Sequence, residues 1–309
     1  MKTTVDWLKF RTRSNPFACV EALRPLFGTA GDLLTFKTGV KGLDGWTSAG
    51  ELSMAGDIAL GRIDYGGESQ RGWVRVNLTG TGCEWVQDWA AAEALADVLV
   101  EADIQRIDIA LTTFEGEVSD SRVVQAYQDG KFTNCGRPPS MRSITDTTPR
   151  AGTTRYIGKR DQHKFLRCYE KGLELLTKVP ESWRLLVTEI NGHAPESIYR
   201  VELELKNKDG KFIPWTVIGR RDDIFAGAYP FCAELLPGVP HWVLATMPSF
   251  EPQCALETAL DHCRRAYGPT LRAALMAHDG DVEKVMQRVL GSEPSRALIE
   301  AGVLTCEHH

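Results

Sequence analysis

The sequence predicts an α+β fold: a mostly antiparallel sheet made of two strand-strand-helix-strand halves, followed by a small C-terminal helical region. Three observations lead there. Short segments alternate apolar and polar residues with the period of a strand, most clearly RIDIALT (106–112) and YRVELELKN (199–207). Glycine clusters separate such segments. After about Ser249 the apolar residues move to helical spacing, from Leu256, Leu260 and Cys263 to Val282, Val285 and Val289.

In chain order, VDWLKFRTR (5–13) reads as a strand that sets Val5, Trp7 and Lys9 against Asp6, Leu8 and Phe10. PFACVEALRPLF (16–27) has helical spacing. Residues 51–82 read as several antiparallel strands, with turns at Gly66-Gly67 and at Gly80 to Gly82. A helix is expected from Cys83 to Ala102, with Trp85, Trp89, Ala92, Leu95, Ala96 and Leu99 as its apolar stripe. QRIDIALTTFEG (105–116) is the next strand, and Ser121 to Gln128 the next helix. Segment 129–152, rich in Gly, Pro, Ser and Thr, is expected to be a loop or extended ribbon joining halves 1–128 and 153–248. The second half opens on a hairpin of TRYIG (154–158) and KFLRCYEKG (164–172), followed by a helical stretch over 173–179 and the strand at 199–207. Residues 249–309 form the helical region.

Hydrophobic content of 43% and charged content of 25% over 309 residues are ordinary for a globular protein. No apolar run reaches the length of a membrane span. The opening MKTTVDWLKFRTR lacks the charged-then-apolar order of a signal peptide, so a cytoplasmic location is expected. The eight cysteines include no CxxC pair, which argues against a zinc site and for reduced, mostly buried thiols. A net charge of −5 argues against non-specific coating of nucleic acid. Locally, however, residues 137–178 hold ten Lys and Arg against four acids. Arg150, Arg155, Lys159, Arg160 and Lys164 are candidate phosphate contacts within that stretch; a solvated loop accounts for them equally well.

Three segments could carry chemistry. In KFLRCYEK, read as a strand, Arg167, Tyr169 and Lys171 share one face, so a phenol is flanked by cations. A free tyrosine is phenolate in only about one molecule in a thousand at neutral pH, a deficit of roughly 4 kcal/mol. Neighbouring cations or a metal ion offset part of that deficit and bind a phosphodiester as well. In RIDIALT, Asp108 stands in an apolar strand, where it either binds a cation or pairs with Arg106 or another basic neighbour. In YRVELELKN, Glu202 and Glu204 share a face about 7 Å apart. They either help to hold a hard cation such as Mg²⁺ or Mn²⁺ or form a solvent-facing charged stripe. A nucleophile, cations and carboxylates on neighbouring strands are the minimum for metal-assisted strand transfer.

The run YIGKRDQHKFLRCYEKG (156–172) resembles the Y-x-G-x-R-x-S-x-x-F-x-R-x-Y-x-K signature of the replication initiation factor family. RIDIAL (106–111) and YRVELELK (199–206) resemble its two other blocks in order and spacing, and VDWLKF (5–10) is similar to the filamentous-phage branch. The resemblance covers roughly residues 5–220. It implies a metal-dependent enzyme of rolling-circle replication whose residues 1–248 form the DNA-nicking domain. By position, Tyr169 is then the nucleophile, Arg167 and Lys171 its flanking cations, and Asp108, Glu202 and Glu204 the acids expected to bind Mg²⁺ or Mn²⁺. Tyr156 matches the first aromatic of the signature instead. Where plasmid members place two further acids this chain has Thr112 and Asn77, so Asn77 is expected as a neutral oxygen ligand; the signature serine falls at Gln162, beside His163. The implied partners are origin DNA, single-stranded or as a hairpin, a host helicase and a second copy of the chain; no membrane is involved. No GxxxxGK[ST] phosphate loop is present, so unwinding falls to the helicase. A His-x-His nickase is excluded, since no such pair occurs. A conjugative relaxase with the same chemistry and a non-catalytic DNA-binding regulator remain as alternatives.

Overall fold

In the computed structural model, residues 1–133, 136–145, 150, 152–208, 210–244 and 252–291 are described. The chain divides into two compact units, Met1–Thr246 and Met247–His309. In the first, ten strands form one antiparallel sheet: β1 (Thr4–Thr12), β2 (Leu34–Lys41), β3 (Ser48–Met54), β4 (Ile58–Tyr65), β5 (Val74–Leu78), β6 (Asp103–Thr113), β7 (Met141–Thr145), β8 (Thr153–Ile157), β9 (Lys164–Tyr169) and β10 (Tyr199–Lys206). Their order is β2-β3-β4-β5-β1-β6-β10-β9-β8-β7. The two sequence halves are therefore halves of a single α+β sheet. They meet where β6 pairs with β1 on one side and β10 on the other.

Alternation gives the sheet its two faces. Leu8, Phe10, Val76, Ile107, Ile109, Val201, Leu203 and Leu166 are buried on one face. They join a single core with Cys19, Val20 and Leu23 of α1 (Pro16–Leu23). Short helices follow in the first half: α2 (Gly80–Glu84), α3 (Trp89–Glu93), α4 (Leu95–Val98) and α5 (Asp120–Gln128). The second half adds α6 (Lys171–Leu176), α7 (Glu181–Arg184), α8 (Arg221–Ala228) and α9 (Pro230–Leu235), and α8 and α9 bring Phe225 and Phe231 to the same core. Each such side chain contributes about 1.5–3 kcal/mol by leaving water. The second unit holds α10 (Pro252–Ala277) and α11 (Val282–Val289).

Four expectations are corrected. A bulge between Val5 and Trp7 moves Trp7, Lys9 and Arg11 to the polar face while Val5, Leu8 and Phe10 stay buried. The helix expected over 83–102 is three short helices, because Gln87 and Asp88 turn their N–H groups to the Leu26 carbonyl and Asp88 caps a new start. Gly66 and Gly67 do turn the chain with positive φ, but Gly80 to Gly82 open α2, capped by the Thr79 hydroxyl. Within 129–152, Met141–Thr145 is the far edge strand, paired with β8.

Candidate active site

Antiparallel register sets polar side chains in rows that cross the strands, successive rows about 7 Å apart. One row holds Thr112, Arg200 and Tyr169; the next Ala110, Glu202 and Arg167; the next Trp7, Asp108 and Glu204; the next Asn77, Lys9, Arg106 and Lys206. The strands thus bring the candidate nucleophile and all three candidate acids to one face, across β9, β10 and β6.

Tyr169 is the last residue of β9 and only half-buried. Its hydroxyl donates to Glu202 Oε2 at 3.2 Å. Burial and the Glu202 carboxylate push the phenol pKa up, while Arg200 and Arg167 pull it down. Arg200, a neighbour that the sequence reading gave no role, is held by Asp6 (2.6 Å) and by Thr112 Oγ1 (2.9 Å). Thr112 therefore does a defined task where an acid was expected: it accepts from the guanidinium beside the phenol. Lys171 does not share the strand face, because β9 ends at Tyr169 and Lys171 begins α6. Its Nζ pairs with Glu174 at 2.6 Å and lies 5.8 Å from the centre of the Tyr169 ring. Tyr156, in register with Arg167, stacks on Phe165.

Asp108, Glu202 and Glu204 are each 1% exposed. Arg106 donates to Asp108 at 2.7 and 2.5 Å and reaches Glu204 at 2.7 Å, and Lys206 meets Glu204 at 2.6 Å. Arg167 binds Glu202 and stands 3.6 Å from Asp108. Burial raises the Asp108 pKa to about 7, against the pull of Arg106. Three carboxylates and three cations thus interleave into a neutral network. Of the two roles expected of Asp108, the structure shows the pairing with Arg106.

No group of three or more acidic, His or Cys side chains could hold a metal ion among the described residues. Asp108 and Glu202 converge on a single point, the Arg167 guanidinium, and that point is held loosely on the Asp108 side. Two carboxylates with water and a phosphate oxygen are a normal Mg²⁺ environment, and Asp108 and Glu202 supply such a pair, here held by Arg106 and Arg167. Glu204 is gripped by Arg106 and Lys206. Asn77 lies in a different row, and its Oδ1 accepts from the Trp7 indole at 2.8 Å. Glu204 shares a row with Asp108 and meets it at the Arg106 guanidinium, away from Glu202, whereas register places Asn77 one row beyond Asp108.

The family model described as replication initiation factor matches residues 102–239, which span β6 to α9 and contain the whole Tyr169–Glu202–Asp108 arrangement. Over that stretch the chain is similar to the replication initiation factor family. The chain also resembles a solved structure titled as that of a rolling circle replication initiator protein from Geobacillus stearothermophilus. The two are 19% identical with a TM-score of 0.52, over 73% of this chain and 83% of that one, a likeness of fold. No curated protein matches the chain.

The candidate DNA contacts fare unequally. Arg155 points to the helical side and pairs with Asp120 of α5 (2.7 and 2.6 Å). Arg150 clamps Glu196 and the carbonyls of Arg184 and Val187. Lys164 donates to the Ala228 carbonyl at 2.7 Å and lies over the Tyr229 ring. These three hold the fold together, since each is pulled inward by an acceptor of its own. Lys159 and Arg160 are exposed at the β8–β9 turn. His163 lies at the same turn, against the Lys206 carbonyl, three rows from Tyr169.

Proposed function

We propose that this protein initiates rolling-circle replication by nicking one DNA strand at an origin with Tyr169 and later resealing it. The observation that carries this reading is the hydrogen bond from the Tyr169 hydroxyl to Glu202, on the polar sheet face with Arg167 and Arg200 beside it. Glu202 Oε2 takes the phenolic proton. The phenol oxygen bonds to the scissile phosphorus, the P–O3′ bond breaks, and the leaving O3′ takes a proton from solvent. The products are a 5′-phosphotyrosine and a free 3′-OH that primes synthesis. Arg200 and Arg167 would meet the phosphate oxygens beside the phenol, and their charge favours the phenolate. Resealing runs the same path backwards with Glu202 returning the proton, and no nucleotide is hydrolysed because the ester bond keeps its energy.

A divalent ion, Mg²⁺ or Mn²⁺, held by Asp108 and Glu202 would add charge stabilisation of the phenolate and the phosphate. The match to the replication initiation factor model and the fold likeness support origin DNA as the substrate, presented as a single strand or hairpin.

The test is nicking of a supercoiled origin plasmid by the wild type, Tyr169→Phe and Tyr156→Phe, each with Mg²⁺, Mn²⁺ or EDTA. Nicking and the covalent protein–DNA adduct are expected to vanish with Tyr169→Phe and with EDTA, and to persist with Tyr156→Phe. Undiminished nicking by Tyr169→Phe removes the proposed nucleophile.

A further inference from the structure

Beyond the carboxylate rows, toward the other end of the strands, the polar face opens into a cleft of about 380 Å³ between β5, β1, β6 and β10. Six of its eleven lining residues are Lys9, Arg11, Arg75, Arg106, Lys206 and Lys208, and none is acidic. Two more are Trp46 and Trp73. The Lys206 row lies six residues along β10 from Arg200, the partner of Tyr169, which is about 20 Å. Five of these eight residues, Lys9, Arg11, Trp46, Trp73 and Arg75, precede the region matched by the family model.

The cleft is assembled to meet something anionic and flat. Arg11 and Arg13 each place a guanidinium 4.2 Å from the centre of the Trp73 ring, and both side chains remain well exposed, at 40% and 36%. Asp103 and Glu101 hold them there at 3.1 and 3.3 Å. The result is a pre-ordered cation–aromatic platform of the kind on which nucleobases stack. Lys9 stands between Asn77 and Arg106 with no ion-pair partner among the described residues. Burial, then Arg75 and Arg106, press its pKa down, so the free protein bears the cost of crowded cations. On the same wall the Gln105 amide nitrogen is buried without an acceptor. A phosphate near Lys9 and a hydrogen-bond acceptor near Gln105 would satisfy both.

We propose that this cleft is a second DNA-binding site, which holds a single-stranded stretch of the strand being cut, its bases on the Arg11–Trp73–Arg13 platform and its phosphates on Lys9 and the neighbouring cations. The proposal rests on the strand-nicking reading for the identity of the strand. A neutral, acid-rich row at the reacting end and a cationic, aromatic cleft about 20 Å away divide chemistry from grip.

Fluorescence anisotropy with a labelled oligothymidylate, an abasic oligonucleotide of equal length and polyglutamate as competitor, in a salt series, tests this on the full chain. The wild type should prefer the base-containing strand. Trp73→Ala should erase that preference, a loss of about tenfold. Lys9→Gln should weaken both DNA ligands and lower the salt slope by about one; it opens no cavity, so it serves even if Trp73→Ala fails to fold. On strand transfer, both variants should match the wild type with an oligonucleotide too short to reach the cleft and raise KM with a longer one. Equal binding of the abasic strand, competition by polyglutamate as effective as by DNA, or equal impairment on short and long substrates would each overturn the proposal. If the wild type transfers no strand at all, the nicking reading fails, while the binding comparison still decides the cleft.

Discussion

On the β4–β5–β1 side of the polar face, one fully buried carboxylate, Asp64, holds two guanidiniums, Arg62 at 2.6 Å and Arg75 at 2.8 Å. On the β6–β10–β9 side, three buried carboxylates are matched one for one by Arg106, Arg167 and Lys206, and a phenol stands at the end of the series. The first side leaves Lys9 unpaired among the described residues and sets its ion-paired arginines, Arg11, Arg13 and Arg75, beside tryptophans; the second cancels its charge internally. A surplus attracts a polyanion from solution, whereas a balanced network gains nothing until a phosphate or metal ion disturbs it. Two adjacent surfaces of one sheet are thereby suited to different parts of a single task, and the boundary between them falls at the row of Lys9, Arg106 and Lys206.

The sharpest way to break this division is at Glu202. Glu202→Gln removes the acceptor of the Tyr169 proton, and strand transfer should fall by about 10²–10⁴-fold, the usual worth of a positioned base. Binding of oligothymidylate, measured on the same preparation, should be unaffected. A parallel loss of binding would mean that the two surfaces are one.

At Asp64 the effect should be on stability. Asp64→Asn leaves Arg62 and Arg75 facing each other with no buried carboxylate, a loss of about 3 kcal/mol, at the low end for a broken buried pair because both arginines are partly solvated. Denaturant unfolding measures it. Transfer of a short strand by the protein that remains folded should continue, since Tyr169 lies beyond the boundary row.

The balanced side makes a prediction about metal. Without DNA, Arg167 fills the gap between Glu202 and Asp108, and the network carries no net negative charge to draw in a divalent cation. Mn²⁺ binding followed by electron paramagnetic resonance should therefore be weak for the free protein and strengthen when an oligonucleotide carrying the nick site is added. Tight Mn²⁺ binding in the absence of DNA would contradict the role given to Arg167.

Much of this was legible in the sequence because strand alternation is a local property. RIDIALT, KFLRCY and YRVELELK give their faces directly, and with them the grouping of Tyr169, Arg167, Asp108, Glu202 and Glu204. Three things were not legible. Where β9 stops, one residue before α6, is set by tertiary packing, so Lys171 left the strand face. The Val5/Trp7 bulge reverses one strand's outward set, and no local signal in VDWLKF marks it. Which cations are free depends on acceptors far along the chain: Asp120 for Arg155, Glu196 for Arg150, Ala228 for Lys164. The cleft residues come from segments separated by up to two hundred positions, so local charge counting pointed to residues 137–178 and passed over Lys9, Arg11 and Arg75.

The smallest expected effect is also the most discriminating, because its two readouts move in opposite directions. Protonated Lys9 is unfavourable in the folded chain, its pKa pressed down by burial and by Arg75 and Arg106. The folded state therefore binds fewer protons there than the unfolded chain, and stability rises with pH through the lowered pKa. Lys9→Gln removes that cost and should raise Tm by about 1–2 °C at neutral pH. The gain should close at alkaline pH, where Lys9 is neutral in the wild type as well. Oligothymidylate affinity should fall in the same variant. A cation kept only for the fold would, on removal, lower Tm and leave affinity untouched; one kept for a phosphate destabilises the protein until its ligand arrives.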